Sequence, residues 1–460
     1  MKNSFLYSLV ALAFAVSCDK SSENFNVQQE QSNNLTADEI KALSWYEADP
    51  HISTDEATMT AQSIIRFLDQ DHRTKAAAPR TISCVKPITR AKMTKAGEDE
   101  TNPDTLAYVF NFGQEEGYAI LSADRRTDNI FALVPEGHID FEDDIDEGVL
   151  STGLMAFYGN LEAAYDQQVE YAIRMQDSLI NIALAKIEAE VGATGTKAAG
   201  NIQITYGTPS YSVIVAPLIR VGWGQTDPYN MYTPVISGKH APTGCAATAV
   251  AQLMSYWRYP TSYNWNVMLP PSGNESLATF QTIAHLMTDV GSALNTQYSK
   301  DKSTANFSDI PGYLTNLGYN PGTYKEYSSY DVTQSLNNQR PVLMAGFSIK
   351  KDVYKKYLIF WEKYSHTYYE GGHSWIIDGY MRIKTPVYFN TNGITLTGYD
   401  LSSNSLLHCN WGWPESGLNG YYNENAFNSN NGPVTRAHTD TFGTQGDYQY
   451  NIECIVNVYK

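Results

Sequence analysis

The apolar positions of this chain change period along its length, and each change marks an element. Residues 5–16 form an uncharged apolar run, and residues 19–34 are polar without periodicity. Residues 35–45 and 54–68 carry helical spacing. In the second, Met59, Ile64, Ile65 and Leu68 make the stripe, with Ser53 and Thr54 as caps before Glu56. Residues 105–134 read as strands. Leu106-Ala107-Tyr108-Val109-Phe110-Asn111-Phe112 and Tyr118-Ala119-Ile120-Leu121-Ser122 flank residues 113–117, which begin and end in glycine, so a hairpin is expected. Residues 149–191 return to helical spacing, with a break or bend expected near Gly159. Residues 192–200 are small and aperiodic, an accessible linker.

Beyond the linker, Ala246, Ala249, Val250, Leu253, Met254 and Trp257 recur at helical spacing. Tyr259-Pro260 is expected to end that helix, because proline cannot continue it. Trp375-Ile376-Ile377 reads as a strand whose first residue, His373, projects from an edge relaxed by Gly371-Gly372. Leu406-Leu407-His408-Cys409-Asn410-Trp411 is another apolar segment.

Charge follows the same division. The net charge is −17, yet residues 201–460 hold 16 basic and 17 acidic side chains, so nearly all the excess lies in residues 1–200. Tyrosine shifts the other way, with 26 of 33 after residue 200. The acidic half argues against a nucleic-acid partner, since phosphates repel it. Three segments are therefore expected: residues 1–18, 19–200 and 201–460. The run at 5–16 is too short to span a bilayer and long enough for a signal-peptide core. It ends at Ala15-Val16-Ser17-Cys18, ahead of a hydrophilic tether, in the manner of a bacterial lipoprotein signal with Cys18 as the lipidated residue. Alanine stands at position 15, where such signals usually carry leucine, so ordinary secretory cleavage stays an alternative. Export to the bacterial cell envelope is expected either way.

Candidate chemistry centres on Cys245. Thr243-Gly244 lets the chain turn tightly into the helix, so Cys245 stands at its positive end among free N–H groups. That position is expected to lower the thiol pKa and favour the nucleophilic thiolate. His373 is the candidate base, 128 positions later, and papain-like enzymes place the base roughly 130 residues after the nucleophile. His240, five residues before the helix, is the rival base. Asn410 offers an amide oxygen to fix the imidazole tautomer, and Trp411 could cover that bond. The alternative is a turn-forming asparagine before Gly412. Trp413 is assigned to packing. The Cys245 backbone N–H and Gln225, in Val221-Gly222-Trp223-Gly224-Gln225, are candidates for oxyanion stabilisation. Cys84, Cys409 and Cys454 show no CxxC pair or Cys/His cluster, so neither structural zinc nor a disulfide scaffold is expected. Alternation along a strand should point Cys409 away from the site.

Assembled, these segments resemble the streptopain family of secreted bacterial cysteine peptidases. The matching pieces are Trp223-Gly224-Gln225 with Asp227-Pro228-Tyr229-Asn230, then Thr243-Gly244-Cys245-Ala246-Ala247-Thr248-Ala249 through Tyr259-Pro260. Gly372-His373-Ser374-Trp375 with Asp378-Gly379-Tyr380 follows, then Asn410-Trp411-Gly412-Trp413 leading to Gly420-Tyr421-Tyr422. The resemblance implies an α+β, papain-like peptidase domain with Cys245 as nucleophile and His373 as base. It implies Gln225 in the oxyanion hole and Asn410 or Trp411 at the histidine. It also implies synthesis as a zymogen whose first half, a small α+β unit with an antiparallel sheet, inhibits the enzyme; Gly117-Tyr118-Ala119-Ile120-Leu121-Ser122-Ala123-Asp124-Arg125-Arg126 matches that propeptide best. Two departures stand out: Pro414 follows Trp413 where the family carries glycine, and residues 428–447 are richer in Asn and Thr than the family's glycine-rich loop.

The expected activity is peptide-bond hydrolysis without metal or organic cofactor, on protein or peptide substrates, by an enzyme anchored to the membrane as a precursor. Thr-Lys-Ala recurs at Thr74, Thr94 and Thr196, and Lys197 is the candidate processing site that would free the enzyme to the periplasm or extracellular space. An acyltransferase or amidase using the same Cys/His pair is one rival. A non-catalytic surface-binding lipoprotein, with Tyr364, Tyr368 and Tyr369 as a platform, is another.

Overall fold

The computed structural model describes residues 35–44, 49–70, 79–89, 105–139, 152–193, 203–271, 273–357, 361–391, 394–400, 405–413, 419–427 and 450–460. The export signal with Cys18, the seam with Lys197, Pro414 and residues 428–447 lie outside them.

The helices are α1 (Ala37–Ser44), α2 (Thr54–Gln70), α3 (Thr152–Ala193), α4 (Cys245–Trp257), α5 (Trp265–Met268), α6 (Leu277–Ala293), α7 (Ile310–Asn316) and α8 (Ser329–Asn337). The strands of the first half are β1 (Ile82–Thr89), β2 (Thr105–Phe112), β3 (Tyr118–Ser122) and β4 (Ile130–Val134). The second half adds β5 (Gln203–Tyr206), β6 (Ser210–Val215), β7 (Val235–Ile236), β8 (Lys239–His240), β9 (Thr323–Glu326), β10 (Val342–Tyr357) and β11 (Trp361–Thr391). It ends with β12 (Ile394–Asp400), β13 (Ser405–Asn410), β14 (Gly420–Asn423) and β15 (Tyr450–Val456). Helices packed on antiparallel strands make this the α+β class expected.

In the first half, the Ser53 hydroxyl accepts from Glu56 N at 3.3 Å and so caps α2. The buried stripe of α2 is Ala57, Ala61, Ile64, Ile65 and Leu68, whereas Met59 is 63% exposed, a correction to the expected stripe. Ala57 and Ala61 continue the helical period of Ile64 and Leu68; Met59 falls off it. The β2–β3 hairpin forms as expected, with Phe112 N bonded to Gly117 O at 2.8 Å. Gly117 has φ 103°, and a Cβ there would lie 2.3 Å from Val134 O, so only glycine fits. β1 was not foreseen because it contains Pro87; its place at the sheet edge tolerates a missing donor. Helix α3 runs unbroken through Gly159, so the expected break does not occur; one glycine costs about 1 kcal/mol, which a helix of this length absorbs.

The two halves share one sheet. Its order is β1-β2-β3-β4-β14-β13-β11-β10-β15-β9, and the join is β4 with β14, Leu133 opposite Tyr421 and Ala132 opposite Tyr422. Gly420 permits the join, since a Cβ there would press to 2.8 Å on Val134. A single apolar core follows from it, running from Val109, Ile120 and Ala132 of the first half to Trp375, Leu407, Trp411 and Tyr422 of the second. A second core packs α4 and α6 against Leu343, Ala345 and Ile376 of the sheet. Asp128 seals the junction outside these cores: its carboxylate accepts from Gln168 Nε2 at 3.0 Å and from Asn425 Nδ2 at 2.9 Å.

Candidate active site

Helix α4 carries Cys245 as its first residue, and the chain enters it through Gly244 at φ 92°. A Cβ on Gly244 would lie 3.2 Å from Ser303 O, so the residue must turn left-handed beneath a covering loop. The helix ends at Trp257, where Arg258 takes a left-handed conformation and donates to Met254 O, so the stop precedes the expected Tyr259-Pro260. Three bonds strap the segment Trp223-Gly224-Gln225 to this helix and the residues that lead into it. Gln252 Nε2 donates to Trp223 O at 2.7 Å, Thr248 Oγ1 to Gly224 O at 3.5 Å, and Thr243 N to Gln225 O at 2.9 Å. Thr243 and Thr248 also join through their hydroxyls at 2.8 Å. Gln225 is thereby placed beside the nucleophile. It is 6% exposed, and among the described residues its side-chain amide has no hydrogen-bond partner, which leaves its N–H groups available to a reacting oxygen.

The thiol meets the strand that bears the histidine. Burial pushes the Cys245 thiol above its ordinary value, and donation from the Ser374 N–H, the Ser374 hydroxyl and the Ala246 N–H pulls it back part way, as does the Lys302 charge. The lowered pKa expected from the helix terminus is therefore not what this closed arrangement gives. The donors are present, but loss of water outweighs them. Ser374, adjacent to His373, is a contact the sequence reading overlooked.

His373 does not open a strand as expected; it lies inside β11, opposite Gly346 of β10. Its ring is 4% exposed and lies among Trp375, Trp411 and Trp413, with centroids at 6.1, 6.5 and 6.4 Å. Trp413 thus packs against the histidine itself. Nε2 lies 3.1 Å from Trp411 O. A carbonyl only accepts, so Nε2 carries the proton and Nδ1 keeps the basic lone pair. Burial lowers the imidazole to about 4; the Trp411 carbonyl opposes this and the Lys302 charge adds to it.

Between Asn410 and Trp411, the structure assigns the tautomer-fixing acceptor to the Trp411 backbone. Asn410 instead donates from Nδ2 to Val221 O at 3.0 Å and accepts from Gly412 N at 3.2 Å. It fixes the turn after β13 and ties it to the segment leading to Gln225. Cys409 alternates away from Asn410, as expected, yet sits in the core with Trp375 and Trp411 behind the histidine. His240, the rival base, is exposed in the β7–β8 hairpin, where its Nδ1 donates to Thr233 O at 2.7 Å.

A buried anchor completes the frame. Asp378, fully buried, accepts from His408 Nδ1 at 2.6 Å and from Ile219 N at 2.8 Å. A Cβ on neighbouring Gly379 would press to 2.7 Å on Val215 O. The chain leading to Gln225 is therefore fastened to the histidine strand. Asp378-Gly379 was visible as a motif, but the sequence offered no sign that its partners are 159 positions away for Ile219. Among the described residues, no group of three or more His, Cys, Asp and Glu could hold a metal, and no helix is long and apolar enough to cross a membrane.

Residues 223–422 match the Peptidase C10 family, and residues 49–152 match the Spi protease inhibitor family. Streptopain of Streptococcus pyogenes is 27% identical over 243 residues, which cover 42% of this chain and 51% of streptopain. The chain thus spans about half the length of the streptopains it matches. The thiol protease/hemagglutinin PrtT of Porphyromonas gingivalis is 26% identical over 339 residues, 69% of this chain and 33% of PrtT. A solved fragment of prointerpain A from Prevotella intermedia aligns at 20% identity and TM-score 0.45, over 78% of this chain and 97% of the fragment.

Proposed function

We propose, from a streptopain-like cysteine-peptidase segment that follows an N-terminal propeptide-like one, that this chain is the inactive precursor of a secreted cysteine endopeptidase. The observation that carries the reading is the meeting of two settings. Cys245 begins a helix with donors aimed at its sulfur, and strand β11 holds His373 with Nε2–H fixed on Trp411 O, which makes Nδ1 the basic nitrogen.

Nδ1 of His373 removes the thiol proton, and the sulfur attacks a substrate carbonyl carbon. The Cys245 backbone N–H and the Gln225 side chain hold the oxyanion, and the imidazolium protonates the leaving amine as the C–N bond breaks. Water, giving its proton to Nδ1, then attacks the thioester and releases the acid. The first half keeps the enzyme latent until it is cut near residue 200, with Lys197 as the candidate site. Residues 1–18 are read as a lipoprotein signal with Cys18 lipidated, so that cutting also frees the enzyme from its anchor.

Intact mass followed over time on residues 19–460, wild type beside Cys245→Ala, tests this. The wild type should convert to a species lacking the first half while the variant stays whole. Equal conversion of both would mean that the seam is cut by another protease, and the peptide-substrate assay would then decide on Cys245. If both remain whole, an external protease and a peptide substrate are added, and absence of thiol-dependent cleavage then overturns the reading.

A further inference from the structure

The turn that carries Lys302 runs into Ser303, beside the Gly244 that precedes the nucleophile. Residues 299–302 form a turn in which the Ser299 hydroxyl donates to Lys302 O and accepts from Lys302 N at 3.1 Å. An isolated bridge between Gln297 and Thr304 closes it, with bonds of 2.8 and 3.1 Å. Ser303, the next residue, rests its carbonyl against Gly244. Lys302 itself is exposed, and among the described residues no carboxylate pairs with it. Its charge nevertheless reaches both the Cys245 thiol and the His373 ring.

That double reach decides what the charge can do. A cation there favours the thiolate and disfavours the imidazolium, so its two effects on forming the ion pair oppose each other. What remains uncancelled is its pull on an anion arriving from solvent.

We propose that Lys302 is a specificity-determining residue whose ammonium receives a carboxylate side chain of the substrate next to the scissile bond. The substrate class is peptides with aspartate or glutamate flanking the cleaved bond. This rests on the peptidase reading above.

The full chain, allowed to process, is assayed on matched peptides that differ only by Glu, Gln or Lys beside the scissile bond, on either side. The wild type should cleave the Glu peptide about fivefold more efficiently than the Gln peptide, a preference that shrinks with added salt. Lys302→Gln should erase the ratio, and Lys302→Glu should move it toward the Lys peptide. The ratio is read within each variant, so a general loss from misfolding cancels. Equal cleavage of Glu and Gln peptides by the wild type, or a ratio that survives Lys302→Glu, overturns the inference alone. A wild type that cleaves none of the peptides overturns the peptidase reading and this inference with it.

Discussion

Cys245 takes its setting from residues of the second half: the strap at Trp223-Gly224-Gln225, the loop at Ser303, and Ser374. His373 donates to Trp411 O, and the Trp411 ring meets Tyr422 edge-on at 5.3 Å. Tyr422 belongs to β14, which is paired with β4 of the first half. One partner of the pair is framed locally, and the other is framed by a core both halves share. The difference teaches where latency can act. Taking away the first half leaves the surroundings of the thiol in place but removes the strand paired with β14, which carries the Tyr422 that backs Trp411. Burial also moves the two groups in opposite directions, the thiol up and the imidazole down, so the assembled chain favours the neutral pair.

The strongest way to break the comparison is Tyr422→Ala. Tyr422 is fully buried, and its truncation should cost about 3–5 kcal/mol of stability by opening a cavity beside Trp411. It should also move the titration of His373 toward an ordinary histidine, while the alkylation rate of Cys245 by a small neutral reagent stays near that of the wild type. Tyr422→Phe should restore the titration. If the two readouts move together, the settings are not separate.

Next in size is the histidine titration itself. In the full chain carrying Cys245→Ala, ring NMR should give His373 a pKa of about 4 against 6.5, a difference of about 3 kcal/mol. The sign is that of a lowered pKa. The contribution from holding the neutral ring buried is complete above about 6.5 and is lost as pH falls through about 4. Cutting off the first half should raise the value; an unchanged one would uncouple the ring from β4.

These two groups also differ in how legible they were. The α4 helix, its cysteine and the β2–β3 hairpin follow from short-range periodicity and glycine placement, and the structure has them. Gln225 could be chosen because it precedes the nucleophile in a Trp/Gly-rich segment. The acceptor for His373 could not be settled, because an asparagine side chain advertises itself in a sequence and a backbone carbonyl does not. The pairing of β4 with β14 lies beyond a single-sequence reading for a related reason. Tyr421 and Leu133 are 288 positions apart, and nothing local in either strand names its partner. Burial raises the thiol pKa against the effect of helix position, and burial cannot be read from a single sequence.

A smaller effect sharpens the local side of the comparison. Gly244→Ala meets both a left-handed backbone and Ser303 O at 3.2 Å, and should cost about 1–2 kcal/mol in thermal unfolding. Cys245 should alkylate at a changed rate in this variant, with His373 titrating as before. A variant with unaltered alkylation would mean that the loop at Ser303 does not set the thiol.

The smallest expected effect concerns the seam between the halves. Glu424 follows β14, and its carboxylate accepts from the Ser329 hydroxyl. Burial raises its pKa; Asp128 of the first half raises it further, while Ser329, Arg382 and Ser405 pull it down. Around Asp128 stand Lys41 at 3.5 Å, Gln168 and Asn425, so Lys41 and Arg382 are the cations facing this carboxylate pair. A raised carboxylate pKa means that joining the halves takes up protons. Its contribution is complete below the ordinary value of 4.5 and is lost as pH rises through the raised one. With the seam cut by an external protease in the Cys245→Ala chain, size-exclusion chromatography should find the first half retained more at pH 4.5 than at pH 7. Glu424→Gln, which keeps the hydrogen-bonding shape without the charge, should flatten that slope. The His373 titration works in the other direction over part of this range, so the informative quantity is the difference between the two proteins. Equal slopes would leave Glu424 without a part in holding the halves together, and the pH response of the join would then belong to the histidine side alone.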